Sequence, residues 1–190
     1  MSKKEINITG THNRRGIRFC NKDKYITKQR KIHSDISCNF NQDDIKILIP
    51  KLYLKMGMIN DFSLDSLDHL EIKILEEIKV KQLSYINQDS RKKSIVRENR
   101  ENRDKITTEQ IVEKLLTSSY KCYYCKGEIQ ILYENTREPK QWTLERLNNS
   151  QGHNRNNVVI ACLSCNLQRR TMATERYLKT KEMTKIVKLD

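Results

Sequence analysis

The sequence predicts an α+β protein in which a mainly helical N-terminal region precedes a small strand, loop, strand, helix unit stapled by zinc. Three observations carry that prediction. Glycine (5) and proline (2) are scarce in 190 residues and hydrophobic residues make up only 36%, which suits helices with charged faces around a modest core. Apolar residues recur at helical spacing between 45 and 85, whereas after 129 they alternate or bunch in short runs. Two Cys-x-x-Cys pairs, Cys122/Cys125 and Cys162/Cys165, stand 36 residues apart, a pattern that offers four thiolates to one tetrahedral Zn²⁺.

Residues 1–42 form a basic N-terminal arm with only scattered apolar side chains. His12, Cys20, His33 and Cys38 within it match no zinc spacing and read as free thiols and surface histidines. Residues 43–106 form a helical region. Ile45, Leu48, Ile49, Leu52 and Met56 follow the acidic pair Asp43-Asp44, with Pro50 expected to kink or divide that helix. A second helix is expected to start near Ser63 and Asp65. Leu64, Leu67, Leu70, Ile74, Leu75, Ile78 and Tyr85 form its stripe, which is core or a surface for a protein partner or another copy. Residues 91–105 are a charged run that suits a solvated helix or a linker.

The zinc unit spans 107–190. Thr107 and Gln110 form a capping box that opens a short helix ending at Ser118-Ser119. Gly127 is expected to make the tight return after the first cysteine pair. Ile129, Ile131 and Tyr133 predict a strand, Trp142 and Leu144 a second, and Val158 to Ala161 a buried third. A helix is expected from Leu163 to about Lys179, with Arg169, Arg170 and Arg176 on its polar surface.

Formal charge is +13, and its placement is informative. Residues 1–42 hold 10 basic and 3 acidic residues, 43–104 hold 12 of each, and 105–190 hold 15 and 9. The excess sits at the two ends, as expected of an arm and a module that neutralise phosphates, so nucleic acid is the expected partner. No signal-peptide run or membrane-length segment is found. The expectation is an intracellular, reducing location, where Cys-x-x-Cys favours metal over disulfides, and no membrane partner.

The centre of the zinc unit reads Leu144-Glu-Arg-Leu-Asn-Asn-Ser-Gln-Gly-His153, then Asn157-Val158 and Cys162-Leu-Ser-Cys-Asn166. This resembles the HNH, or His-Me finger, endonucleases, especially phage-type members, over about residues 120–172. The resemblance implies a ββα-metal fold, a structural Zn²⁺ on the four cysteines and a catalytic Mg²⁺ or Mn²⁺. Glu145 falls at the acidic ligand of that ion, Asn166 at its ligand on the helix, and Asn157 at the Asn that fixes the loop. Active members place a histidine directly after the acidic ligand, where this chain has Arg146. A guanidinium stays protonated and cannot serve as a general base, although it can bind phosphate. His153 is then the candidate base, provided that its loop folds over the metal. Two readings follow: a divalent-metal-dependent DNA endonuclease, or a catalytically silent zinc module that binds nucleic acid or scaffolds an assembly.

Overall fold

The computed structural model describes residues 41–58, 67–91 and 105–183. In order they form α1 (Gln42–Met58), α2 (His69–Ser90), α3 (Thr108–Thr117), β1 (Trp142–Arg146), β2 (Val158–Cys162), α4 (Leu163–Arg169) and α5 (Thr174–Met183). The architecture is mixed: helices plus one two-stranded antiparallel sheet, in which Glu145 pairs with Val159 and Trp142 with Cys162. Residues 1–40 of the basic arm, with its His and Cys residues, and residues 92–104 of the charged run lie outside the described residues, whereas Gln42, expected in the arm, opens α1. Among those described, no helix is long and apolar enough to cross a membrane.

One apolar cluster unites the helices with the cysteine-bearing unit. Ile45, Ile49 and Leu52 of α1, Ile74 and Ile78 of α2, and Ile111 and Leu115 of α3 pack with Trp142, Leu144 and Ile160 of the sheet. Of the stripe expected on α2, Leu67, Ile74, Leu75 and Ile78 are core and Leu70 and Tyr85 pack against it; Val80 and Leu83, outside that stripe, are exposed.

Pro50 lies inside α1 without dividing it, and a side chain from outside the helix takes up the carbonyl it leaves unpaired. Proline has no N–H to give the carbonyl four residues back, that of Lys46. That carbonyl accepts instead from the Tyr120 hydroxyl at 3.1 Å. Helix α2 begins later than Ser63 and Asp65, which lie outside the described residues. Its N-cap is Asp68, which accepts from the Glu71 N–H at 2.8 Å while Glu71 accepts from the Asp68 N–H at 3.0 Å. The capping box at Thr107 and Gln110 forms as expected.

Four expectations for the cysteine unit are corrected. Residues 129–133 form no strand: Ile131, Leu132 and Tyr133 are buried in succession, so their alternation with polar residues does not sort them between two faces. Their backbone is held by Gln42, whose side chain accepts from the Ile131 N–H at 3.1 Å and donates to the Leu132 carbonyl at 2.8 Å. The tight return after the first cysteine pair falls on Lys126, at φ 59°, and not on Gly127. The last helix is broken, because Arg170 adopts φ 53° and ends α4 before α5 begins. Arg169 is not on a polar surface; it is 1% exposed.

Candidate functional site

Four thiols meet where the knuckle after α3 faces the start of α4. The Sγ atoms of Cys122, Cys125, Cys162 and Cys165 all lie within 4.8 Å of one another. The loop geometry builds this: the Lys126 N–H donates to the Cys122 carbonyl at 3.0 Å, and the Cys122 N–H donates to the Gly127 carbonyl at 2.8 Å. On the other side Cys162 is the N-cap of α4, its sulfur accepting from the Cys165 N–H at 3.4 Å. Thiols this close compete for charge. Contact with Cys162 and Cys165 pulls the Cys122 thiol down, while Cys122 pushes those of Cys162 and Cys165 up. A divalent cation relieves that conflict, and four sulfurs at this spacing fit a metal ion such as zinc.

Strand β1 hands its alternate side chains to different partners. On one face, Thr143 accepts from the Asn166 amide at 3.2 Å, and the Glu145 carboxylate takes the Arg169 guanidinium in a buried ion pair. Arg169 also donates to the Leu147 carbonyl at 2.9 Å and to the Asn149 side chain at 3.3 Å. Burial pushes the Glu145 carboxyl above its ordinary range, against the pull of Arg169 and Arg146. Beside this pair, burial raises the Tyr124 hydroxyl to about 12, with Arg169 pulling the other way.

On the opposite face, Arg146 turns towards the end of α2. Its Nη1 donates to the Gln151 carbonyl at 3.1 Å and stands 3.6 Å from Asp89, close enough for charge but not for a hydrogen bond. Asp89 accepts from the His153 backbone N–H at 2.6 Å and from its ring Nδ1 at 2.8 Å. An ionised carboxylate only accepts, so Nδ1 carries the proton. The ring packs against Tyr85 at 4.7 Å and is 3% exposed. Burial works to raise Asp89, but the His153 hydrogen bonds and the Arg146 charge outweigh it and hold the carboxyl below its ordinary range.

Asn157 clamps the connecting loop. It donates to the Asn148 and Gly152 carbonyls at 3.0 and 2.9 Å and accepts from the Asn148 N–H at 2.9 Å. The structure thus brings Arg146 and His153 together on Asp89, and it pairs Glu145 with Arg169. Two of these partners escape sequence reasoning. Asp89 stands one helical turn past Tyr85, where the apolar stripe ends; Arg169 stands one turn past Asn166. That spacing is the only signal the sequence carries for either.

A divalent ion at Glu145 would use oxygen donors, and Glu145 and Asn166 supply that chemistry. The charge does not fit. The one carboxylate there is already neutralised by a guanidinium that is itself buried, and a second cation beside it would meet Arg169 in low dielectric. Comparison with protein-family models, with curated proteins and with solved structures gives no match.

Proposed function

We propose that the chain is a nucleic-acid-binding protein whose zinc-stapled unit is of the HNH type and is catalytically silent. Zn²⁺ on the four cysteines is its structural ion, and an intracellular location accompanies the reduced thiols. The observation that carries the reading is the buried Glu145–Arg169 pair. It commits the only acidic group in the motif to an internal cation, while Arg146 and His153 are both committed to Asp89. Arg146 stays protonated, and the His153 ring, which keeps a basic Nε2 when Nδ1 carries the proton, is 3% exposed against Tyr85 and not open to an attacking water. Net charge of +13 supports a polyanionic partner.

A second reading, a metal-dependent DNA endonuclease, is favoured by one observation: Asn166 and Glu145 engage the same face of β1, and Asn157 fixes the loop between the strands. Incubation of the 190-residue chain with supercoiled plasmid and Mg²⁺ or Mn²⁺, beside a gel-shift measurement, separates the two. The expected result is salt-sensitive binding without nicking. Nicking that disappears in Glu145→Ala would overturn the silent reading in favour of the endonuclease.

A further inference from the structure

A cationic groove is built without the polar side chains of the motif. The groove, of about 730 Å³, runs between α3, the first cysteine knuckle and the edge of β2, where the Ile160 carbonyl accepts from the Tyr123 N–H at 2.8 Å. None of Glu145, Arg146, His153, Asn166 or Arg169 lines it. Lys114, Lys121, Lys126 and Arg155 do, against a single carboxylate, Glu113. Glu113 is paired with Arg155 at 3.2 Å, and Lys114, Lys121 and Lys126 have no carboxylate within ion-pairing distance among the described residues. Lys126 stands 5.1 Å over the Tyr123 ring, so a cation and an aromatic side chain share one wall.

We propose that this groove binds a short run of single-stranded nucleic acid, its phosphates on Lys121, Lys126 and Lys114 and a base against Tyr123. Cationic tracks with an aromatic platform are how proteins hold single strands without reading their sequence. The groove runs beside the edge of β2 and offers an aromatic ring to an unstacked base, which a single strand can present and a stacked duplex cannot. Burial lowers the Lys114 ammonium from its ordinary range, and Glu113 only partly offsets this, so an anion here restores what the site lacks. The proposal rests on the nucleic-acid reading above and assigns it a place on the surface.

The test uses the zinc-loaded 190-residue chain and fluorescein-labelled oligo(dT), followed by anisotropy from low to high salt. Lys121→Gln/Lys126→Gln is expected to bind about tenfold more weakly at about 0.1 M salt. The slope of log affinity against log salt should flatten by about 1.4, because each phosphate that a lysine neutralises on a single strand contributes roughly 0.7. Lys51→Gln/Lys79→Gln, with the same net charge, should bind like wild type. Unchanged zinc content in both variants reports that the unit is folded. Equal losses in the two variants, or none in the groove variant, overturn the groove while leaving nucleic-acid binding intact. Wild type that shifts plasmid but binds no oligo(dT) overturns the groove alone, and wild type that binds neither removes the broader reading as well. Polyglutamate that competes as strongly as unlabelled oligo(dT) would make the ligand an acidic polypeptide and overturn the proposal.

Discussion

The two faces of β1 solve the same problem in different ways. Glu145 and Arg146 are neighbours in sequence and stand together in the motif, yet one is sealed against Arg169 from α4 and the other leans on Asp89 from α2. The Glu145 face is held within the cysteine-bearing unit. The Arg146 face is held by the helical region, through Asp89 and His153. Adjacent residues in a motif therefore need not belong to one site. Period-two alternation sends them to different structures, and each is neutralised by whatever that structure supplies.

Metal removal is the largest perturbation and should act on both faces at once. Chelation, or Cys162→Ser, is expected to unfold the unit, since structural zinc contributes on the order of 10 kcal/mol in small zinc domains. Loss of the far-ultraviolet and near-ultraviolet dichroism of the β1–β2–α4 unit, restored by added Zn²⁺, checks it. Glu145→Ala acts on one face only. It strands the Arg169 guanidinium and should cost about 3–5 kcal/mol by denaturant unfolding, whereas Glu145→Gln with Arg169→Met should cost less than either single change.

Asp89→Asn acts on the other face and is expected to cost about 1–3 kcal/mol, because the His153 ring and backbone lose a charged acceptor. Its pH dependence has a definite sign. The folded-state value of Asp89 is lowered, so its stabilisation is complete above its unfolded value of about 3.9 and is lost as pH falls through the folded value. The gap between wild type and variant should hold from about pH 7 to pH 5 and close below about pH 4. Thr107→Ala touches neither face. It removes the N-cap of α3 and should cost about 1 kcal/mol without altering the response of either pair.

Much of the scaffold is legible in the sequence because its signals are local. The cysteine spacing, the capping box at Thr107 and Gln110, and the apolar runs at Trp142 and Val158 each depend on residues a few positions apart. The readings that fail depend on distant partners. Nothing near Ile131 announces that Gln42 satisfies its backbone, and of the two outcomes expected at Pro50 only division is excluded, Tyr120 reaching the carbonyl that proline leaves unpaired. The same holds at the site. Glu145, Arg146, Asn157 and Asn166 stand out by position in a motif, but Arg169 and Asp89, which decide what Glu145, Arg146 and His153 can do, are set by packing. Arginines in the helix from Leu163 are ordinarily solvated, which is why a polar surface is the natural expectation for Arg169; only the buried carboxylate opposite it reverses that expectation.

The commitment of Glu145 to Arg169 is tested most directly by counting Mn²⁺ on zinc-loaded protein by electron paramagnetic resonance, for wild type, Glu145→Gln and Arg169→Met. The internal ion pair predicts that wild type holds no stoichiometric Mn²⁺ that Glu145→Gln removes. A Mn²⁺ bound one per chain in wild type and lost in Glu145→Gln would contradict it.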